Sequence, residues 1–195
     1  MSIEQPSLLL EDRWILSRLN STIADVNRLM RDYQFGEAQR QIHDFLWGDY
    51  CDWYIEMAKI RLGGASDTPS PVPVLVHVLE KSLSLLHPFI PFITEELWQN
   101  IKKLSNDEKL TESIMVAAYP EADKTAIDPE SERVMAAIID IIHAIRNIRA
   151  EYNVESARQI DAQICTAKLR TAIAPYIQAI PVSYTHLTLP TTPYV

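Results

Sequence analysis

Glycine and cysteine are both scarce in this chain of 195 residues, and each scarcity excludes a class of site. The 4 glycines are Gly36, Gly48, Gly63 and Gly64. They do not form the glycine-rich turn that a phosphate-binding loop requires, so no such loop is expected. The 2 cysteines, Cys51 and Cys165, lie far apart in different predicted elements. This arrangement argues against a disulfide framework and fits a reducing cytoplasm.

Long uncharged stretches are also absent. The most apolar segment, residues 134–148, is interrupted by Asp140, His143 and Arg146, and it falls short of the roughly 20 residues that span a membrane. No basic segment followed by an apolar one marks a secretory signal at the N-terminus. The histidines lack the i,i+4 spacing or the cysteine partners of a zinc site. We therefore expect a cytoplasmic protein that has neither a membrane segment nor a metal site.

The net charge of -8 argues at first against a nucleic-acid partner, because lysine and arginine drive phosphate binding. The excess acid is nevertheless localised. Residues 105–140 contain 9 acidic and 3 basic side chains, whereas residues 141–170 contain 5 basic and 3 acidic ones. A basic face elsewhere on the molecule is compatible with this distribution.

Hydrophobic spacing predicts an all-α bundle of about five helices over residues 8–153. The first helix is predicted from Leu8 to Asp32 and the second from Phe35 to Leu62, where Gly63 and Gly64 end it. The apolar stripe of the first comprises Ile15, Leu19, Ile23, Val26, Met30 and Tyr33, opposite a solvent face that includes Ser17. The stripe of the second comprises Ala38, Ile42, Leu46, Tyr50, Trp53, Met57 and Ile60.

Prolines set the next boundaries. The third helix is predicted to start near residues 71–74 and to end at His87, because Pro88 disfavours the helical conformation of the residue before it. Thr94 is the predicted N-cap of a fourth helix that runs to about Leu104. An apolar run at residues 114–119 is expected to be extended. The fifth helix is predicted at residues 129–153, with a stripe formed by Val134, Ile138, Ile141, Ile145, Ile148 and Tyr152.

The pattern changes after residue 155. Ile160, Ala162 and Ile164 alternate with polar residues, which predicts a half-buried strand, and a helix is predicted at residues 167–179. One strand without a partner cannot form a sheet, so residues 156–181 are interpreted as the start of a truncated α/β subdomain appended to a helical domain at residues 1–155. Residues 182–195 fit no continuation. Val182 to Leu187 resembles a translated sequencing adaptor, so this tail is expected to be non-native and without ordered packing.

Four segments, in order, resemble the anticodon-binding region of class I aminoacyl-tRNA synthetases. They are residues 11–20 (EDRWILSRLN), residues 35–59 with FLW at 45–47 and CDWYIE at 51–56, residues 87–98 (HPFIPFITEELW) and residues 145–153 (IRNIRAEYN). Each is weak alone, and the combination is specific. The second and third segments are most similar to those of valine enzymes, and isoleucine and leucine enzymes are the nearest alternatives.

The resemblance implies a domain that holds the anticodon stem-loop of tRNA(Val) within an enzyme that joins valine to its tRNA. It implies ATP with Mg²⁺ as a requirement of the full-length enzyme, a separate editing domain that hydrolyses mischarged threonine, and a monomeric cytoplasmic protein. The family's His-Ile-Gly-His and Lys-Met-Ser-Lys-Ser signatures and its C-terminal coiled coil are absent here. The chain alone is therefore expected to bind no cofactor and to be catalytically inactive.

Arginine and lysine side chains are the predicted tRNA contacts, because RNA backbone phosphates are bound by cations. The candidates are Arg13, Arg18, Arg28, Arg31, Lys59, Arg61, Arg146 and Arg149. For Arg146 and Arg149, a role at the helix end or a pair with Glu151 is the alternative. Asp49 and Asp52 are expected to be solvated or paired with bases.

The tryptophans Trp14, Trp47, Trp53 and Trp98 have two possible roles. They could stack on nucleotide bases, but core packing is favoured for Trp53 and Trp98. A different class of function is also compatible with the sequence, namely a stand-alone helical module that binds a partner protein and no RNA. No DNA partner is expected.

Overall fold

Residues with helical apolar spacing do form helices, which confirms the expected all-α fold. A computed structural model describes residues 8–63, 68–105, 110–155, 160–163 and 185–188, together with Ile173. The chain divides into two units, residues 1–129 and residues 130–195. The first unit contains α1 (Leu10–Arg31), α2 (Phe35–Asp44), a π-helix (Phe45–Tyr54), α3 (Ile55–Gly63), α4 (Val72–Leu86), α5 (Pro91–Ser105) and 3-10 turns at Ile114–Val116 and Lys124–Ala126.

Helix α1 buries most of its predicted stripe. Its C-terminus is closed by hydrogen bonds from the Gln34 amide to the Leu29 carbonyl and from the Tyr33 amide to the Met30 carbonyl, at 2.9 and 3.2 Å. Tyr33 has φ 57, the left-handed conformation usual for the residue after such an end. The predicted burial of Tyr33 is wrong because the helix has already ended, and the side chain is 81% exposed.

The position of Ser17 differs from the prediction for the other face of α1. The sequence places it toward solvent, but it is fully buried, and its hydroxyl oxygen accepts a hydrogen bond from the Asp128 amide at 2.8 Å. The irregular segment before residue 129 covers this face. A polar residue that has a buried partner cannot be distinguished from a solvated one by periodicity alone.

The predicted second helix is continuous in the structure but not uniformly α-helical. Its middle ten residues, Phe45–Tyr54, form a π-helix, whose wider turn places buried Tyr50 five positions after buried Phe45. Downstream, Tyr54 and Ala58 therefore occupy the interior. The predicted core positions of Trp53, Met57 and Ile60 are wrong: the first two are half-buried and Ile60 is exposed.

Helix α5 starts earlier than predicted, at Pro91, a residue favoured in the first position of a helix. Thr94 is therefore not the N-cap. It is fully buried; its hydroxyl donates to the carbonyl oxygen of Ile90 at 3.0 Å and forms a hydrogen bond of 2.7 Å with Nδ1 of His87. Helix α4 ends one residue before the predicted His87.

A small core joins α4, α5 and the first 3-10 turn. Leu83, Trp98, Ile101 and Ile114 pack together in it, which confirms the predicted core role of Trp98. Residues 114–116 form a 3-10 turn, so the expected extended conformation is wrong there. The carboxylate of Glu95 accepts hydrogen bonds from the Ser113 hydroxyl and the Ile114 amide at 2.8 and 3.2 Å, and these bonds hold the turn against α5.

Helix α6 (Pro129–Glu151) lies almost wholly in the second unit. It buries Val134, Ile138 and Ile145 as predicted, whereas Ile148 and Tyr152 of the predicted stripe are exposed. The helix closes as α1 does, because Asn153 has φ 48 and the Val154 amide donates to the Arg149 carbonyl at 2.9 Å. None of the described helices is long and apolar enough to cross a membrane.

Two short strands complete the described part of the second unit. Strand β1 (Ile160–Gln163) agrees with the predicted strand and pairs in parallel with β2 (Thr185–Thr188), with Ile160 opposite Thr185. The expectation of no ordered packing in residues 182–195 is therefore wrong for β2. Burial of Leu187 and Leu189 lies outside the described side chains, and a non-native origin of this tail stays a prediction. Of the predicted helix at 167–179, Ile173 alone is described, and it is helical and buried.

Candidate nucleic-acid interface

The eight predicted cationic contacts lie on three helices. In the first unit, α1 carries Arg13, Arg18, Arg28 and Arg31, and α3 carries Lys59 and Arg61; in the second unit, α6 carries Arg146 and Arg149. Helices α1 and α3 pack in opposite directions, because Arg61 at the end of α3 contacts the first turn of α1. The scaffold thus distributes the cations along the first unit and does not gather them at one point.

Two arginines of α1 are paired with carboxylates from distant parts of the chain. Nη1 of Arg13 lies 3.3 Å from Oδ2 of Asp128. Nε of Arg18 donates to Oδ2 of Asp49 at 2.8 Å, so Asp49 is paired with a base, as expected. Both arginine side chains remain about half exposed.

Two further candidates form local pairs on the surface of their own helices. Nη2 of Arg28 donates to Oδ1 of Asp25 at 3.1 Å, and Nζ of Lys59 donates to Oε1 of Glu56 at 2.6 Å. Exposed pairs of this kind contribute only about 0–1 kcal/mol each, because water screens them and holding the side chains costs entropy. Phosphate groups could therefore replace these carboxylates at little cost.

The remaining surface candidates lie at helix ends. Arg31 is exposed in the last turn of α1, and no carboxylate lies within ion-pair distance of it in the part of the chain that the structure describes. Arg146 is exposed on α6. Nη2 of Arg149 donates to the Glu155 carbonyl at 2.6 Å, beyond the end of α6 at Glu151.

Arg61 differs from the other candidates because its side chain is only 8% exposed. Nη1 donates to Oδ1 of Asp12 at 2.7 Å and to Oε1 of Glu11 at 3.2 Å, while Nη2 donates to the Pro69 carbonyl at 2.6 Å. The Tyr54 hydroxyl donates to the same Asp12 oxygen at 2.6 Å. Arg61 thus ties α3 and the segment before α4 to the start of α1, and it does not offer its guanidinium to an RNA phosphate.

Burial and charge act against each other in this cluster. Burial raises the pKa of Glu11, and the nearby Asp12 carboxylate adds to the increase. Burial lowers the pKa of Arg61, but the hydrogen bond and charge of Asp12, together with Glu11, reverse the effect and raise the pKa overall. Burial and the hydrogen bond to Asp12 raise the pKa of Tyr54 well above its usual range. The tyrosine therefore remains a neutral donor, and the arginine remains charged.

Sequence reasoning missed the roles of Asp12 and Tyr54. Asp12 occupies the first turn of α1, where an acid ordinarily serves the helix dipole at the surface. Tyr54 and Arg61 face it only because the π-helix rotates all later residues of that helix. The five-residue step between Phe45 and Tyr50 was the signal available, since an α-helix would have used three or four.

Two clefts in the first unit are each lined by one of the candidates. A cleft of about 680 Å³ is lined by Arg13, His77, Lys81 and the acids Glu121, Asp123 and Asp128, among others. Burial lowers the pKa of His77, and the positive charge of Lys81 lowers it further. A second cleft of about 440 Å³ contains Arg18 beside Asp25, Asp44 and Asp49. Neither lining contains a glycine, so neither offers the glycine-rich backbone cradle of a phosphate-binding loop.

Aromatic side chains are also exposed on the first unit. The rings of His43 and Trp47 stack at 4.9 Å with an interplanar angle of 8°, and Trp47 is more than half exposed. Trp14 and Trp98 are buried and belong to the hydrophobic core. Among the tryptophans, Trp47 is therefore the one whose ring is most available to a nucleotide base.

Comparisons with known proteins agree with this scaffold. The model of a family described as the anticodon-binding domain of tRNA ligase matches residues 12–164. A valine–tRNA ligase of Dehalococcoides mccartyi strain CBDB1 is 49% identical over 176 residues, which are 90% of this chain and 20% of that protein. The valine–tRNA ligase of Latilactobacillus sakei strain 23K is 46% identical over 165 residues, 83% of this chain and 18% of that protein.

A valine–tRNA ligase of Bacillus licheniformis is 44% identical over 158 residues, 80% of this chain and 17% of that protein. The chain therefore spans about a fifth of the length of the relatives it matches. The family match covers α1 to α6 and reaches β1. On these grounds the chain belongs to the anticodon-binding domain family of tRNA ligases.

Proposed function

We propose that this chain recognises the anticodon stem-loop of tRNA(Val) as part of a valine–tRNA ligase. The observation that carries the proposal is the family match over residues 12–164, together with relatives that are all named valine–tRNA ligase. These relatives favour valine over the isoleucine and leucine alternatives.

The geometry supports a surface on which basic side chains release their carboxylate partners and bind tRNA phosphates instead. Arg13, Arg18, Arg28 and Lys59 are each 41–63% exposed and each is paired with a carboxylate. Because exposed pairs are worth only about 0–1 kcal/mol, tRNA phosphates can displace the carboxylates, and Arg31 can contribute directly. The exposed Trp47 ring adds a stacking surface, worth about 1–3 kcal/mol for one unpaired base.

The chemistry of the ligase belongs outside this chain. ATP with Mg²⁺ would activate valine, and a separate editing domain would hydrolyse mischarged threonine, in polypeptide that carries the family's two ATP signatures. The two clefts that Arg13 and Arg18 line offer ATP no glycine-rich phosphate cradle, so no step is assigned to them. Within the proposed enzyme, a cytoplasmic monomer, this domain positions the tRNA while catalysis takes place at a distance.

Binding to matched tRNA transcripts tests the proposal. Filter binding of this chain to tRNA(Val) should be tighter than binding to a tRNA(Val) whose anticodon bases are changed, because proteins read single-stranded RNA bases directly. The changed transcript keeps the same length, charge and stem structure. A transcript of tRNA(Ile) serves as the second comparison and separates the two closest specificities.

Each outcome is informative. Preference for the unaltered tRNA(Val) supports the proposal, and equal affinity for all three transcripts contradicts anticodon reading. A stand-alone module that binds a partner protein would show no discrimination among the three. Preference for tRNA(Ile) would assign the domain to an isoleucine enzyme.

A further inference from the structure

His43 and Trp47 form an aromatic stack on the exposed side of the helix that runs from Phe35 to Gly63. Their rings are nearly parallel, and both side chains are more than half exposed. The imidazole covers one face of the indole. Because Trp47 is 55% exposed, much of the opposite face is in water. The stack thus holds a flat aromatic surface in place before any ligand arrives, which lowers the entropy cost of binding.

The side chains around this stack are charged and not apolar. Nη1 of Arg40 lies 2.6 Å from Oδ2 of Asp44, and Nδ1 of His43 lies 3.4 Å from Oδ1 of the same carboxylate. A protein partner that packed on the indole would have to bury these groups, and removing charges from water is costly. A nucleotide base needs only one face of a ring, so an RNA ligand suits the stack better.

The residue after Trp47 is a glycine that the fold does not require. Gly48 lies within the π-helix, where a Cβ would meet nothing within 4 Å. Its φ is not positive, so its backbone conformation is open to other residues as well. Glycine inside a helix is less stable than alanine. The bare backbone at Gly48 therefore leaves room beside the indole for a closely approaching ribose and phosphate.

A cation lies close to the other side of Gly48. The next residue, Asp49, accepts a hydrogen bond from Nε of Arg18 at 2.8 Å. Both line a cleft of about 440 Å³ together with Asp44, which precedes Gly48 by one helical turn. The acids of this cleft are each paired with an arginine, namely Asp25 with Arg28, Asp44 with Arg40 and Asp49 with Arg18. Exposed pairs of this kind are weak, so a phosphate can replace the carboxylate.

We propose that His43, Trp47 and Gly48 form the binding site for one unpaired nucleotide of the tRNA anticodon loop. The base stacks on the indole face opposite His43, and the phosphate passes over Gly48 toward Arg18. The inference rests on the proposed function, and it adds which side chains hold a single nucleotide of that RNA.

Removal of one base at a time from the RNA tests the stack. Hairpins that copy the anticodon arm of tRNA(Val), each with one loop nucleotide made abasic, are titrated with this chain by fluorescence anisotropy. Loss of the stacked base should weaken binding by about 5- to 100-fold. Trp47→Leu should weaken binding of the intact hairpin by a similar factor, and the same abasic position should then have no further effect.

Matched variants separate the ring and the glycine from general effects on the fold. Trp47→Tyr keeps an aromatic face, so it should retain most of the affinity and the sensitivity to that abasic position. Gly48→Gln places a side chain over the bare backbone and should weaken binding of the intact hairpin. Gly63→Gln, at another glycine with open space around it, should not. Urea unfolding checks that all four variants fold.

The outcomes distinguish this site from the proposed function. Equal sensitivity of the wild-type chain and Trp47→Leu to every abasic position would overturn the stack, as would equal losses of affinity in Trp47→Tyr and Trp47→Leu. Unaltered binding by Gly48→Gln would overturn the passage of the phosphate over the glycine. Equal affinity for tRNA(Val) and its anticodon-changed transcript, with the coupled abasic position retained, would reject the proposed function and keep the stacking site. Absence of hairpin binding by the wild-type chain would reject both.

Discussion

Arg61 shows how strongly the surroundings of a residue decide its role. It shares a helix with Lys59, two positions away, and both are cations in a helix of an RNA-binding family. Lys59 is exposed and paired within its own helix, whereas Arg61 is buried against Asp12 and Glu11. The first residue is therefore available to a ligand, and the second stabilises the fold.

Substitution of these two residues should separate the roles. Arg61→Met removes the charge but keeps most of the volume, and it leaves Asp12 buried without its cation. Breaking a buried pair in this way should lower the free energy of unfolding by about 3–5 kcal/mol. Lys59→Met, the control on the same helix, should change it by no more than about 1 kcal/mol. Urea unfolding measures both, and similar losses would contradict the assignment.

The left-handed backbone conformation of Tyr33 lowers the stability of the fold, and a glycine at this position would avoid that loss. Its left-handed backbone is unfavourable for any residue with a Cβ, by about 1–2 kcal/mol. Tyr33→Gly should therefore raise the free energy of unfolding by about 1 kcal/mol, whereas Tyr33→Ala, which also loses the ring but keeps the Cβ, should not. Thermal unfolding of the two variants distinguishes strain from contacts of the ring. Equal stability of the two would show that the backbone is not strained.

The π-helix is the element that sets the interior of the first unit. Because it takes five residues from Phe45 to Tyr50, the later part of the helix presents Tyr54, Ala58 and Arg61 to α1. An uninterrupted α-helix would have presented Trp53, Met57 and Ile60, as the sequence pattern predicted. One extra residue in one turn thus changes which side chains form the buried cluster.

Single-residue deletions test this mechanism. Deletion of Gly48 shortens the step from Phe45 to Tyr50 to four residues, which suits an α-helix and keeps Tyr54 and Ala58 in the interior. Deletion of Glu56, after the π-helix, instead turns Ala58 and Arg61 by about 100° and moves Lys59 into the buried position of Ala58. We expect the second deletion to be the more destabilising in urea unfolding. The reverse order would show that the π-helix does not set the register.

Element boundaries were largely predictable from the sequence, because local chemistry determines them. Helix α1 was predicted to end at Asp32 and ends at Arg31, and α4 was predicted to end at His87 and ends at Leu86. Proline and apolar spacing act over a few residues, so they can be recognised in the chain itself. The π-helix could not be recognised in this way, because the five-position step from Phe45 to Tyr50 is a signal only once both residues are known to be buried.

For the molecule as a whole, the charge pattern explains why the candidate site was only partly predictable. The sequence identified the cations, but it could not show which acids would meet them. Asp128 lies far along the chain from Arg13, and Asp49 is 31 positions from Arg18. Only folding brings such pairs together, and they determine how much positive charge remains for RNA.

The salt dependence of tRNA binding reports how many phosphates the whole molecule contacts. Simultaneous replacement Arg146→Glu and Arg149→Glu should weaken binding to every tRNA sequence and reduce the slope of affinity against salt by about 1 for each phosphate that is no longer bound. Arg133→Glu is the control, because Arg133 lies on the same helix, is exposed and is paired with Glu130 at 2.6 Å. An unchanged slope in the double variant would remove both arginines from the interface.

The Asp12 carboxylate also constrains the order in which the nascent chain can fold. It accepts from the Leu9 amide 3 positions away, but its other donors, Tyr54 and Arg61, follow it by 42 and 49 positions. The ribosome releases Asp12 before both of these side chains, so during synthesis the acid first meets only its own helix. The buried cluster of the three residues can form only after Arg61 has left the exit tunnel. Until then, the start of α1 is not yet tied to α3 and to the segment before α4.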